Sequence, residues 1–304
     1  MNLKISIVIP TYNDDFMINR ILESLSTTTL PESVTEIIVV ENGPRLNVEN
    51  TCKNFQQQLP LKYIYTEQGS LSNARNLGIK NSTNDIIIFF DNDMLFEKNT
   101  LSEYDKVIQQ YGDQCFYGGP VLADYEEKPP EWLRDFLPWS ASGHSLGDEI
   151  ISIDKALFLG GNHAFSRKLL EEFDGYDDMC ATGEEGMMGE ERRLQEKALR
   201  AGYQGIYVPG AVAHHWILKD RCSQDWTIHR KYRAGLTIAV TIKNSLPAKP
   251  CLLFGIPCYI VKDYYVSLFN YNLSIFLLNS KQQVFSKKFK LAYLKGIIAG
   301  FKSL

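Results

Sequence analysis

The sequence predicts an α/β protein: a mostly parallel sheet with helices on both faces, followed by a basic helical extension. Short β-branched runs alternate with segments of helical spacing over the first 95 residues, the pattern of strand–helix–strand units. One run, Ile-Ile-Ile-Phe-Phe within Asp85–Phe90, is apolar throughout, as an interior parallel strand must be. Residues 250–304 hold seven Lys, no Arg and one acid (Asp263), a net charge of +6, whereas the first 249 residues carry −10.

In chain order, Leu3–Ile9 is a β-branched strand ended by Pro10. Asp14–Leu25 follows with apolar residues at Phe16, Met17, Ile21, Leu22 and Leu25, a helical spacing. Glu36–Val40 is a second strand, closed by the turn cluster Glu41-Asn42-Gly43-Pro44. Val48–Leu59 predicts a helix, Leu61–Tyr65 a strand and Leu71–Asn81 a helix, before the strand Asp85–Phe90. Residues 112–160 read as a strand and a long substrate-facing loop. Beyond it come a helix at about Lys168–Phe173, a strong helix Glu190–Ala201 stopped by Gly202, a short strand Gly205–Val208 and a helix Ser223–Lys243.

With 44% hydrophobic and 22% charged residues in 304, the chain has enough apolar side chain for a real core. Its net charge of −4 disfavours a dedicated nucleic-acid binder. The six Cys form no CxxC pair and no zinc-ligand spacing, so they read as reduced thiols of a cytoplasmic protein. The N-terminal apolar stretch is too short for a signal peptide, and no window is apolar enough for a transmembrane helix. Neither the P-loop nor the dinucleotide glycine pattern is present.

Ligands of such sheets bind beyond the carboxyl ends of the strands. Three polar clusters stand there: Thr11-Tyr12-Asn13-Asp14, Glu41-Asn42 and Asp91-Asn92-Asp93. Alternate strand residues share a face, so Asp91 and Asp93 are expected to point into one cleft. Like charges buried together need a compensating cation, and magnesium or manganese suits oxygen ligands beside a diphosphate. The alternative is a turn in which Asp and Asn satisfy backbone groups.

Val8-Ile9-Pro10-Thr11-Tyr12-Asn13, Val39-Val40-Glu41-Asn42-Gly43, Ser72-Asn73-Ala74-Arg75-Asn76-Leu77-Gly78 and Phe90-Asp91-Asn92-Asp93 occur in that order. Gly161-Asn162-His163-Ala164-Phe165-Ser166-Arg167, Gly189-Glu190-Glu191-Arg192-Arg193-Leu194 and Val208-Pro209-Gly210-Ala211-Val212-Ala213-His214-His215 continue the series. Together, over about residues 3–245, they resemble the family 2 inverting glycosyltransferases of GT-A fold, Rossmann-like nucleotide-binding proteins active in bacterial surface-polysaccharide assembly. The resemblance implies a catalytic domain over residues 1–245, a helical tail over 246–304, a nucleotide-sugar donor, UDP-linked, and manganese or magnesium. Pro10, Thr11, Tyr12 and Asn13 would line the nucleotide pocket. Glu41 stands where the family has an Asp that binds uracil, and its extra methylene leaves a different base or a shifted pose open. Arg75 would hold base or diphosphate, Asp91 the ribose, and Asn92, Gly161 and Asn162 would also face the donor. Asp93 would bind the metal with His215, or with His214 as the alternative. Glu191 takes the place of the usual Asp base; the similar Gly183-Glu184-Glu185-Gly186 lacks the amphipathic helix that follows Glu190-Glu191. His163 replaces an apolar residue and either touches the donor or packs.

Trp132, Trp139 and Glu190 are candidates for the acceptor, a glycan or a lipid-linked oligosaccharide; loop anchoring is the alternative for both tryptophans. In the tail, Val261–Leu278 and Val284–Phe301 predict amphipathic helices. Lys287, Lys288, Lys290 and Lys295 flank Phe285, Phe289, Tyr293 and their apolar neighbours. Such helices suit peripheral contact with an anionic membrane at the inner face of the plasma membrane; a cap on the catalytic domain or a homo-oligomer contact is the alternative. Two other functions stay open at this level: a sugar nucleotidyltransferase, although its early Gly-rich basic loop is missing, and a non-catalytic nucleotide-sugar-binding or scaffold protein.

Overall fold

The computed structural model describes residues 2–177 and 189–303. Cys180 and the Gly183–Gly186 segment lie outside the described residues. The first part of the chain forms β1 (Ile5–Tyr12), α1 (Asp15–Ser26), β2 (Val34–Asn42), α2 (Val48–Phe55), β3 (Leu61–Thr66) and α3 (Leu71–Asn81). Next come β4 (Ile86–Phe90), β5 (Met94–Phe96), α4 (Thr100–Tyr111), β6 (Cys115–Gly118), β7 (Val121–Tyr125), α5 (Glu131–Arg134) and α6 (Trp139–Ser142). They are followed by β8 (Ile151–Ile153), β9 (Asn162–Ser166), α7 (Arg167–Glu172), α8 (Glu190–Arg200), β10 (Gln204–Tyr207) and β11 (Ala213–Ile217). The rest is α9 (Gln224–Asn244), a hairpin of β12 (Leu252–Leu253) and β13 (Ile256–Pro257), α10 (Cys258–Phe276) and α11 (Lys281–Ser303).

The chain divides into two compact units. One comprises residues 1–124 and 143–216; the other comprises residues 125–142 and 217–304. The second unit therefore takes in α9 and the α5–α6 segment, so the boundary expected near residue 245 falls inside it.

In the first unit, eight strands order as β3-β2-β1-β4-β9-β6-β10-β8. The β3–β2, β2–β1, β1–β4 and β10–β6 pairs are parallel. Side chains alternate between faces, so Ile5, Ile7 and Ile9 of β1 join a core with Ile18 and Leu22 of α1 and Leu101 and Val107 of α4. Val8, Ile87 and Phe89 point the other way and pack with Ala74 of α3, Leu169 of α7 and Leu194 of α8. Gly78 lets α3 settle on β1, where a Cβ would collide with Val8.

One expectation changes. Pro10 does not end the first strand; β1 continues to Tyr12, paired with Asn42. A proline is tolerated there because pairing of β1 with β4 already stops at Val8–Phe89. The strand β9 runs antiparallel between β4 and β6. Its N-terminal end, Asn162, therefore lies beside Phe90, the C-terminal end of β4. That reversal delivers the Gly160-Gly161-Asn162 turn to the rim that carries Asp91–Asp93.

In the second unit, α9 and α11 approach closely through small residues. A Cβ on Gly235 would collide with the Tyr293 carbonyl, and one on Gly296 with that of Tyr232, while a Cβ on Gly300 would lie 2.5 Å from Ala239 Cβ. Among the described residues, no helix is long and apolar enough to cross a membrane. Gly296→Val should cost about 1–3 kcal/mol by forcing this pair apart, read as a lowered urea midpoint for the second unit; an unchanged midpoint would show that the helices do not need the close approach.

Candidate active site

The site is built around Arg75, which α3 projects into the protein interior. Its side chain is 1% exposed. Nη1 donates to Glu190 Oε1 at 2.7 Å, and Nη2 donates to Asp91 Oδ1 at 2.7 Å and to the Gly160 carbonyl at 3.1 Å. The Tyr176 ring stands 5.2 Å from the guanidinium carbon. Burial alone would lower the Arg75 pKa; the Asp91 and Glu190 carboxylates outweigh it and keep the guanidinium charged. One side chain thus ties α3, the start of α8, the turn after β4 and the turn before β9.

Glu191 sits beside this cluster. The Gly160 turn adjoins it: a Cβ at Gly160 would lie 3.1 Å from Arg75 Nη2 and in ordinary contact, 3.5 Å, with the Glu191 carboxyl carbon. Among the described residues Glu191 makes no salt bridge of its own, because Arg75 is engaged by Glu190 and Asp91. Burial, and then the neighbouring Glu190 carboxylate, push the Glu191 carboxyl up to about 7, against the pull of Arg75. The helix terminus at which it stands favours ionisation, but burial dominates.

On the same rim, Asp93 Oδ2 lies 3.0 Å from His215 Nε2. The β11 strand pairs with β5, setting His215 opposite Met94 and His214 opposite Leu95. Strand alternation turns the two imidazoles apart: His215 meets Asp93, and His214 lies 3.4 Å from Glu97 Oε1. Asp93 and His215 are a carboxylate–imidazole pair that suits manganese or magnesium. Among the described residues no cluster of three or more His, Cys, Asp or Glu side chains could hold a metal ion.

The triplet Asp91-Asn92-Asp93 is a turn, not the strand end expected, because β4 stops at Phe90. Asn92 Nδ2 donates to Thr11 Oγ1 at 3.0 Å, joining this turn to the end of β1. Pro10 and Thr11 are buried, whereas Tyr12 is exposed and lays its ring against Gly43 and Gly69. Asn13 has positive φ (51°) and leads into Asp14, whose carboxylate caps α1 at Met17 N–H, 2.9 Å away.

Several expected contacts are placed elsewhere. Arg75, expected at the base or diphosphate, has the Glu190 and Asp91 carboxylates and the Gly160 carbonyl as its partners. Glu41 is buried and accepts from Leu46 N–H at 2.5 Å and from the Tyr63 hydroxyl, so its carboxylate holds the adjoining loop. Asn162 is wholly buried, accepting from Tyr104 Oη at 2.8 Å and donating to the carbonyls of Pro120 and Ala211. Gly161 does reach the rim: a Cβ there would collide with Met94 and lie 3.2 Å from Asp91 Oδ2. Glu190, expected on the acceptor side, is buried as the partner of Arg75. His163 packs: it stacks on Phe89 with centroids 5.3 Å apart, and burial together with Arg75 pushes it well below the usual imidazole range.

Trp132, in the second unit, forms edge contacts with Phe136 and Phe285, which anchor its loop. Trp139, on α6, is half exposed. Three supporting residues escaped sequence reasoning. Tyr176 covers Arg75, and Asn76 holds it through two bonds of 2.8 Å. Gln195 pins the loop before Gly160 through both backbone groups of Phe158. The only trace of Gln195 in the sequence is a polar residue next to Leu194 on the apolar stripe of α8.

The chain belongs to glycosyl transferase family 2: the family's model matches residues 6–174. It is 26% identical over 228 residues to the succinoglycan biosynthesis protein ExoM of Rhizobium meliloti (strain 1021), covering 71% of this chain and 68% of that protein. It is 30% identical over 264 residues to glycosyltransferase GlyA of Streptococcus pneumoniae serotype 4, covering 81% of this chain but 35% of GlyA. Its match to TarS of Staphylococcus aureus (strain Mu50) covers 19% of that protein. Among solved structures it resembles the mannosyltransferase PcManGT from Pyrobaculum calidifontis in complex with GDP-Man and Mn2+, with TM-score 0.61 and 17% identity over 98% of this chain and 87% of that one. TarS 1-349 in complex with UDP-GlcNAc gives TM-score 0.56 and 18% identity over 90% of this chain and 73% of that one. The fold is GT-A and the chain is a glycosyltransferase; the nucleotidyltransferase and scaffold alternatives are set aside.

A carboxyl whose folded pKa exceeds its ordinary 4.5 holds its proton more tightly in the native state. Its contribution to stability is full below about 4.5 and is lost as pH rises through about 7. Glu191→Gln should therefore raise the unfolding free energy by about 1–3 kcal/mol near pH 8 and by much less near pH 5, measured by urea titration. An equal effect at both pH values would mean that the carboxyl is not shifted.

Proposed function

We propose that this glycosyltransferase moves a sugar, with inversion, from a UDP-linked donor to a hydroxyl of a glycan or lipid-linked oligosaccharide in surface-polysaccharide assembly, assisted by manganese or magnesium. One observation carries this reading: the rim beyond β1 and β4 bears both a carboxyl raised to about 7 and a carboxylate–imidazole pair. A UDP-GlcNAc complex of TarS and a Mn2+ complex of PcManGT support the donor and cation classes, and the ExoM likeness supports the polysaccharide setting. A cytoplasmic site belongs to the same reading, in keeping with five described cysteines that are free thiols.

Tyr12, lying over Gly43 and Gly69, offers an aromatic face at the nucleotide end of the rim. Asp93 and His215 would hold the cation, which would neutralise charge on the departing diphosphate. Glu191, ionised in a substantial fraction near neutral pH, accepts the proton of the acceptor hydroxyl. That oxygen bonds to the anomeric carbon as the bond to the diphosphate breaks on the opposite face, and the configuration inverts. Arg75 positions Glu190 and Asp91, and Glu191 stands beside them without a salt bridge of its own among the described residues.

Asp93→Ala should abolish the manganese-dependent rise in melting temperature that a matching nucleotide sugar produces in wild type; a retained rise would remove Asp93 from the cation site. Glu191→Gln should keep donor binding while transfer falls by about 10²–10⁴. Wild-type kcat/KM should climb with pH through about 7. Full transfer by Glu191→Gln would remove the base assignment.

A further inference from the structure

The second unit is inverted at α10. This helix turns Ile260, Ser267 and Ser274 inward, toward a core that also contains Leu294 and Ile297 of α11. Its opposite face exposes Tyr265 (63%), Val266, Phe269 (66%), Leu273 and Phe276 (82%). Spacings of three and four residues put these side chains on one stripe. At its two ends, the β12–β13 hairpin exposes Leu252, Leu253 and Phe254 (91%), and the following turn exposes Leu277 and Leu278 (91%). Ile260, Val261 and Tyr264 pack inward at the start of the helix, but further along Ser267 and Ser274 face in while Phe269 and Phe276 face out, the reverse of what water would select. By contrast, α11, whose aromatic face suggested a membrane surface in the sequence, buries Phe285, Leu291, Leu294 and Ile297.

Charge decides what covers the stripe. The second unit carries sixteen basic and seven acidic side chains, net +9, while the first carries −13. Two copies meeting through this unit would bring like charges together. An anionic bilayer supplies both an apolar layer for the aromatics and negative headgroups for the lysines, of which Lys249, Lys262, Lys281, Lys290 and Lys295 are exposed. Since no described helix can span a membrane, the contact is interfacial.

We infer that α10 and the β12–β13 hairpin form a docking face for the surface of an anionic lipid bilayer. The inference deepens the lipid-linked reading above, but its test needs no sugar donor, so either can fail alone. The full-length protein is mixed with vesicles of pure phosphatidylcholine or of equimolar phosphatidylcholine and phosphatidylglycerol, then sedimented. Wild type should pellet with the anionic vesicles, less so in high salt, and stay in solution with the neutral ones. Phe269→Glu with Phe276→Glu should weaken anionic-vesicle binding by about tenfold or more. Phe254→Glu, at the fully exposed hairpin tip, should weaken it in a background where helix packing is untouched. Tyr111→Glu, an exposed change in the first unit, should leave it unaltered, and circular dichroism should show all variants folded. Wild type that ignores anionic vesicles, or Phe variants that bind as well as wild type, would overturn the inference. So would a dimer seen by light scattering without lipid and abolished by the same Phe variants, because a second copy would then occupy the stripe.

Discussion

A buried arginine between two carboxylates holds this active site together. Placing the Arg75 guanidinium in the interior is unfavourable without partners, and removing one partner from such a pair typically costs about 3–5 kcal/mol. Glu190 and Asp91 meet that need, and each belongs to a different part of the chain. The ion pairs consequently act as a geometric constraint: the start of α8 cannot drift from the turn after β4 without exposing an uncompensated charge. Glu191 follows Glu190 on the same helix turn and inherits its position. It also inherits an electrostatic consequence, since the Arg75 guanidinium is already shared by two carboxylates.

Backbone topology supplies the other half of the site. A fully parallel sheet would bring only loops that follow strands to this rim. The antiparallel β9 adds a loop that precedes a strand, and its glycines permit close approach to Arg75, Asp91 and Glu191. The small β5–β11–β7 sheet then carries His215 to Asp93 from 122 residues away in sequence. Around these groups lies a shell of hydrogen-bonded polar side chains, Asn162, Gln195, Asn76 and Glu41, which hold loops in place. Buried polar groups of this kind are strongly orienting because each unsatisfied bond would be costly.

The second unit obeys a different logic. Its α9–α11 pair closes through glycines, and its third helix presents aromatics to the outside. An amphipathic helix in a water-soluble protein sorts apolar side chains toward its core; α10 sorts large ones away from it, which only a further apolar phase would stabilise.

Periodicity and turn chemistry determined much of the first unit from sequence alone. β1 to β4 and α1 to α3 appear where the apolar runs and helical spacings place them, because these are local preferences. The helix α4 carries the same helical signal at Leu101, Tyr104, Val107 and Ile108 and passes unread beside the louder motif before it. Motif order sufficed to identify the family and to single out Arg75, Asp91, Asp93, Glu191 and His215, which the fold brings to one rim. Their division of labour was a tertiary matter. Whether an arginine has two carboxylates as partners, and whether an asparagine is bound by two backbone carbonyls and a tyrosine hydroxyl, depends on burial and on partners remote in the chain. The same holds for the extension, where Lys and aromatic residues read alike in α10 and α11. Only packing, by covering one helix face and leaving the other in the open, distinguishes a core element from a surface that seeks a partner.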